Sequence, residues 1–400
     1  MLKIAAVRKQ HFILTQFYNG ESMMRNLLSF FVLLFFVFAC SPQRSVLGKP
    51  VNGLRLIGDY VLPHKLQFNG TTVGGLSSIE YVPSEDLYYL ICDDRSDINP
   101  ARFYTAKIHI GNNGIDSIRL LETVTLLQKN GQPFPSRKVD SLRNPDPEAL
   151  RYNAANKTIV WSSEGERISV PGREMLVDPF IAVATKEGRL IDTFPLPPNM
   201  HITGSEKGPR QNGAFEGLAF SQNFTTLYVS MEEPLYEDGP RAGLDDSARW
   251  VRIIQYDVET KKPVAQFAYP IDPVVQEPIS SGTFILNGVS DILAVNDHQL
   301  LVTERSFSTG RLTCNIRVYL AELEGAENIA GINSLVQSPP AKPIRKKLLL
   351  NMDTLKRWVD NVEGATFGPI LPNGKRSLLF VTDDNFAAFE KTQFFLFEVQ

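Results

Sequence analysis

The sequence predicts an all-β fold, a β-propeller of four-stranded blades, on three observations. A two-part phrase recurs five times at intervals of 68 to 76 residues: a turn led by Gly, Glu or Asn enters a short strand, and a hydrophobic strand then ends in acids. Between its copies lie further short runs rich in Val, Ile, Phe and Tyr, broken by Gly, Pro, Asn and Asp, so each copy offers about four strands. No long stretch carries a helical period. Four-stranded units repeated about an axis make a propeller. Five blades is the favoured count, and the long intervals 95–147 and 305–362 leave room for a sixth with a degraded phrase.

Ahead of the repeat, residues 1–39 read as an address. Arg25 and Asn26 precede an apolar run from Leu27 to Ala39, and Val37-Phe38-Ala39-Cys40-Ser41 is similar to a bacterial lipobox. A short basic region, about a dozen apolar residues and a small residue before the cut mark a secretory signal, and a bilayer span needs about twenty. The expectation is a lipoprotein signal over 1–39, with an uncleaved anchor helix as the alternative. Lipidation at Cys40, a tether over 40–53 and a propeller over 54–400 follow, placing the protein on the periplasmic or surface side of the bacterial cell envelope. Residues 1–22 read as an extension, with Met23 or Met24 as the better start.

The blades follow in order. The first pairs Gly74-Gly75-Leu76-Ser77-Ser78-Ile79 with Tyr88-Tyr89-Leu90-Ile91-Cys92-Asp93-Asp94-Arg95, and the second pairs Pro147-Glu148-Ala149-Leu150-Arg151-Tyr152 with Ile159-Val160-Trp161-Ser162-Ser163-Glu164. The third has Phe215-Glu216-Gly217-Leu218-Ala219-Phe220 and Leu227-Tyr228-Val229-Ser230-Met231-Glu232-Glu233. The fourth has Asn287-Gly288-Val289-Ser290-Asp291-Ile292 and Leu300-Leu301-Val302-Thr303-Glu304-Arg305, and the fifth Val362-Glu363-Gly364-Ala365-Thr366-Phe367 and Leu378-Leu379-Phe380-Val381-Thr382-Asp383-Asp384. After the fifth, only Gln393–Val399 remains, enough for a third strand. Leu54–Leu62 near the mature N-terminus is expected to supply the fourth and hide the open edges.

Composition excludes several classes. Net charge is −3, which offers no basic surface to nucleic acid. Cys40, Cys92 and Cys314 lack metal-ligand spacing, and Cys92 and Cys314 are expected to be buried free thiols. No Gly-x-Ser-x-Gly, His-Glu-x-x-His or Gly-x-x-x-x-Gly-Lys motif occurs. His64, His109, His201 and His298 are read as surface or packing residues, Trp161, Trp250 and Trp358 as core, and the polar loops 197–212 and 236–249 as covers for a mouth.

In a propeller the innermost strands line the channel, so acids far apart in sequence meet. Glu148, Glu216 and Glu363 stand at strand starts, and Asp93, Asp94, Glu164, Glu232, Glu304, Asp383 and Asp384 at strand ends, the two sets lying either at one end of the channel or at opposite ends. Crowded carboxylates raise one another's pKa, and a hard cation such as Ca²⁺ relieves them. The predicted metal ligands are Glu148, Glu216, Glu363, Asp93, Glu232, Glu304 and Asp383. Arginine is the other remedy: Arg95 and Arg305 are expected to clamp an anionic substrate, with Arg151, Arg173 and Arg210 nearby in sequence. Acids at strand ends also cap turns, and that structural role is the competing reading for each one singly.

These phrases resemble the phytase-like family, described as having esterase-like activity of phytase. The resemblance runs through Gly75–Ile79 with Asp93-Asp94-Arg95, Asp146–Arg151, Phe215–Ala219 with Glu232–Leu235, Val302–Arg305 and Val362–Ala365. It implies a secreted or lipid-anchored propeller linked to phosphoester or ester hydrolysis. The true β-propeller phytases, six-bladed Ca²⁺ enzymes, differ in blade count. The expectation is an exported, monomeric, metal-dependent hydrolase of a small phosphorylated or ester substrate, with Glu148, Glu216, Glu363, Arg95 and Arg305 as its catalytic residues. The alternatives are a non-catalytic binding propeller and a lactone hydrolase.

Overall fold

The computed structural model describes residues 50–400. The signal over 1–39, the lipidation at Cys40 and most of the tether lie outside the described residues. Within them, five four-stranded antiparallel sheets form the blades, each running from an inner to an outer strand. Blade 1 is Leu76–Val82, Leu87–Cys92, Arg102–Gly111 and Gly114–Thr125; blade 2 is Pro147–Asn153, Thr158–Ser163, Phe180–Ala184 and Leu190–Phe194. Blade 3 is Phe215–Phe220, Thr226–Met231, Trp250–Asp257 and Pro263–Pro270, and blade 4 is Ile285–Ala294, Gln299–Ser308, Asn315–Glu322 and Arg345–Asn351. Blade 5 is Asn361–Ile370, Arg376–Asp383, Gln393–Val399 and, from the other end of the chain, Leu54–Val61. That last strand pairs antiparallel to Gln393–Val399, so the N-terminal strand closes the ring as expected. No sixth blade is present among the described residues.

The cores lie between blades and are built from the apolar alternation of the strands. One cluster joins the second and third blades through Val160, Phe215, Leu218 and Tyr256. Another joins the fourth and fifth through Leu301, Ile316, Phe380 and Phe395. Trp161 is fully buried against Phe134 and Phe180, whereas Trp250 and Trp358 are only half-buried. Cys92 is a buried free thiol, and Cys314 is free and half-buried.

The inner strands hold the features that matter for the site. Each inner strand packs against both of its neighbours, and each carries a register break at the same place in its pairing with the second strand. The breaks fall between Leu76 and Ser78, Pro147 and Leu150, Phe215 and Gly217, Val289 and Asp291, and Val362 and Gly364. A bulge inserts an extra residue and re-aims its side chain. The extra residue is Glu148, Glu216 or Glu363 in three blades and Ser77 or Ser290 in the other two. This corrects the sequence alignment, which set Gly74 and Asn287 level with the glutamates; the equivalent residues lie three positions later. The serines bind the neighbouring inner strand, Ser77 donating to the Glu148 carbonyl at 2.7 Å and Ser290 to the Val362 carbonyl at 2.9 Å.

The glycine after two of the glutamates has a steric cause. A Cβ on Gly217 would lie 2.7 Å from the backbone nitrogen of Ile292, and one on Gly364 would lie 2.7 Å from Cα of Ser78. Only glycine lets these inner strands approach the next blade so closely.

Three residues beyond Glu148, the fully buried Arg151 gathers the ring. Its guanidinium donates to the Leu218 carbonyl at 2.7 Å, to Ser78 Oγ at 2.9 Å, to the Ile79 carbonyl at 3.2 Å, and to both oxygens of Asp291 at 2.7 and 2.8 Å. Asp291 in turn accepts from Ala365 N–H at 2.7 Å. One ion pair therefore touches the inner strands of all five blades. The sequence places Arg151 with the arginines expected near a ligand; the structure makes it a buried tie between the inner strands. Removing one partner of such a pair leaves an uncompensated buried charge and costs about 3–5 kcal/mol. Asp291→Ala is expected to lose stability in that range, read as a lower urea midpoint than the parent chain.

Candidate functional site

The second ring of side chains comes from the residue that follows the second-strand position paired just ahead of each bulge. Pairing sets Cys92, Ser163, Met231, Glu304 and Thr382 level with one another. The next residue in each blade is Asp93, Glu164, Glu232, Arg305 or Asp383, and all five line one cavity of about 600 Å³. Strand-start and strand-end acids thus meet at the same end of the channel. Altogether eight carboxylates (Asp93, Asp146, Glu148, Glu164, Glu216, Glu232, Glu363 and Asp383) and three guanidiniums (Arg95, Arg241 and Arg305) face it.

Glu304 is the exception among the predicted ligands. It occupies the paired position, whose side chain points to the opposite face of the sheet. There it accepts from Tyr269 Oη at 2.7 Å and Asn287 Nδ2 at 2.9 Å, and pairs with Lys346. Asp94 and Asp384, one residue past the ring, cap turns instead. Asp94 accepts from the N–H groups of Asp97, Ile98 and Asn99 and pairs with Arg102 at 2.7 Å, while Asp384 accepts from Gly75 N–H at 3.0 Å. Arg173 is exposed near the tip of a hairpin, Glu166–Val170 with Arg173–Val177. Arg210 lashes two loops, donating to the Pro234 and Gly239 carbonyls and stacking on Tyr236 at 4.1 Å. None of the four histidines named above lines the cavity.

The cations are held in place by ion pairs. Arg95 pairs with Asp146 and, at 3.1 Å, with Glu166. Arg305 pairs with Glu232 at 2.6 Å and lies 3.8 Å from Glu363. Arg241 pairs with the fully buried Glu233 at 3.1 Å and donates to the Gln211 carbonyl at 3.0 Å. Gln211 and Asn212 from one predicted cover loop and Arg241 from the other reach the cavity, and Phe284 and Leu286 add an apolar wall.

The carboxylates are crowded. Burial, reinforced by the neighbouring acids, pushes Glu148, Glu164, Glu216, Asp93 and Asp383 well above the ordinary range. Burial also raises Glu363 to about 7, with Arg305 opposing it, and Asp146 to about 6, with Arg95 opposing it. Hydrogen bonds satisfy some of the set: Asn361 donates to Glu363 at 2.8 Å, Asn385 N–H to Asp383 at 2.8 Å, and Ala214 N–H to Glu164 at 2.6 Å. Glu216 is 7% exposed, and among the described residues no hydrogen bond or ion pair reaches its carboxylate. Two triads, Asp146/Glu148/Glu164 and Glu164/Glu216/Glu232, have one oxygen from each member all within 4.8 Å of one another.

Residues 71–386 match the phytase-like family, described as esterase-like activity of phytase. The chain belongs to this family. An uncharacterized secreted protein of Arthroderma benhamiae is 25% identical over 243 residues, covering 48% of this chain and 46% of that protein. The chain thus spans about half the length of the curated relative it matches. Among solved structures, an exo-β-1,3-galactanase from Phanerochaete chrysosporium overlays with 10% identity and a TM-score of 0.42, over 86% of this chain and 65% of that one. The Dos1 propeller overlays with 7% identity and a TM-score of 0.32, over 81% and 68%.

Two cavity residues could have been found in sequence. Asp146 sits two residues before Glu148 inside the recurring phrase, and Asn361 stands in the same place before Glu363. Arg241 had no comparable signal, because only the loop's path brings it to the mouth.

The raised carboxylates make the metal-free fold sensitive to pH. A folded-state pKa above the unfolded value means that the folded chain holds the proton more tightly, so the contribution is complete below about 4.5 and lost as pH rises through about 7 for Glu363. In the presence of chelator, the urea midpoint is expected to fall between pH 4.5 and 7.5, and Glu363→Gln to flatten that fall.

Proposed function

We propose that the protein is an exported, lipid-tethered hydrolase of phosphate esters or related esters, acting at the axial cavity with a hard divalent cation such as Ca²⁺. The observation that carries this reading is the convergence of eight carboxylates and three guanidiniums from five blades on one cavity. Family membership supports hydrolysis, and the relative called secreted supports export. No helix of the described residues is long and apolar enough to cross a membrane.

The donor set suits a hard cation. Every acidic ligand is a carboxylate oxygen, with neither sulfur nor imidazole among them, and Glu216 is buried with no hydrogen-bond or ion-pair partner among the described residues. Glu148, Glu164, Glu216 and Glu232 would hold the ion, which when bound supplies Lewis acidity toward the ester and toward an attacking water.

The remaining roles fall to the chain itself. Arg305 and Arg241, held by Glu232 and Glu233, present N–H groups to an anionic group on the substrate. Phe284 and Leu286 face its non-reacting part. Glu363, whose carboxyl stays protonated up to about pH 7, can pass a proton to the leaving oxygen.

The test is a hydrolysis panel of phosphate monoesters, carboxyl esters and lactones on purified Cys40→Ser protein, a variant expected to leave the membrane fraction. Turnover is expected with Ca²⁺ and to vanish with chelator. Glu216→Gln should lower kcat/KM by about 100-fold, equivalent to ~3 kcal/mol of transition-state stabilisation, and Arg241→Ala should act mainly on KM. A properly folded protein that turns over none of the panel would be a binding propeller.

A further inference from the structure

We infer that the cavity binds two cations rather than one, with the carboxylate of Glu164 shared between them. This deepens the metal-dependent reading and rests on it. The two oxygen triads, Asp146/Glu148/Glu164 and Glu164/Glu216/Glu232, span the seam between blades 2 and 3 and have Glu164 in common. Within each triad the oxygens lie no more than 4.8 Å apart, about twice a Ca–O bond of roughly 2.4 Å. Each triad can therefore close on an ion without rearranging the strands that carry it.

Charge points to the same number. Eight carboxylates against three guanidiniums leave an excess of five negative charges when all are ionised. One divalent cation leaves an excess of three, and two leave one.

The partners already present divide the acids in a matching way. Asp146 and Glu232, at the outer ends of the two triads, are each paired with an arginine, Arg95 and Arg305. Glu164, in the middle, takes one backbone N–H from Ala214, which fixes its orientation. Glu216 is over nine-tenths buried, faces the cavity and, among the described residues, has no hydrogen-bond or ion-pair partner. A buried carboxylate in that state calls for a cation. Across the cavity, Glu363 and Asp383 receive hydrogen bonds from Asn361 and belong to neither triad. The ions therefore sit on the blade 2 and 3 side, leaving Arg305 and the far wall open to the ester.

The experiment is titration of metal-stripped protein with Tb³⁺ followed by luminescence, with ion count by native mass spectrometry and repetition with Ca²⁺. Two ions per chain are expected. Glu148→Gln and Glu216→Gln should each retain one, and Glu164→Gln should weaken both by at least about tenfold. Circular dichroism checks each fold, and if Glu164→Gln fails to fold, the other two variants still decide the matter. A single ion in the parent chain, or Glu164→Gln with two undiminished sites, overturns the pair. One ion with chelator-sensitive turnover would refute the pair and leave the hydrolase standing. Two ions without turnover would support the pair and remove the hydrolase.

Discussion

Everything at the mouth of this propeller depends on a bulge placed at one level in five inner strands. An ordinary antiparallel pair would alternate its side chains evenly between the two faces of the blade. The extra residue breaks that alternation and turns Glu148, Glu216 and Glu363 toward the axis beside the second-strand acids. Directly beyond, Arg151 and Asp291 tie the five inner strands through hydrogen bonds made almost wholly to backbone and to each other. The charged tie and the crowded cavity are therefore two parts of the same ring. The first fixes the spacing of the strands, and the second uses that spacing.

The arrangement works against stability at neutral pH. Carboxylates with pKa values raised by burial and by each other would be more comfortable protonated, and the cavity offers three arginines to eight acids. Such a conflict is a common mark of a functional site, because a site built only for stability would have used the serine solution found in blades 1 and 4. Ser77 and Ser290 occupy the bulge there and bond quietly to the adjacent strand. Each of the three blades with glutamate at the bulge adds one further buried carboxylate to the cavity.

Much of this architecture was readable in the chain. The apolar runs marked nearly every blade strand, and the count of five and the closing role of Leu54–Val61 followed from where those runs stopped. Propeller geometry brought Asp93, Glu232, Asp383 and the strand-start glutamates to the channel, but left open whether the two sets share one end of it, because sequence does not fix loop reach. What failed did so through register. In blade 4 the acid comes one residue early, and a single step along a strand reverses its face, so Glu304 points into the blade and Arg305 takes the axial place. Gly74 and Asn287 were set three residues out because a bulge leaves no mark on hydrophobic periodicity. Arg151 looked like a ligand residue because its burial depends on the approach of four other strands. Arg241 reaches the cavity along a loop, and loop paths have no period to read.

The most direct measurement is anomalous diffraction from crystals grown with Tb³⁺. The account predicts anomalous density in the axial cavity within coordination distance of Glu164, with Glu148 on one side and Glu216 on the other. Crystals showing Glu148, Glu164 and Glu216 turned into separate surroundings, with no anomalous density between them, would contradict it.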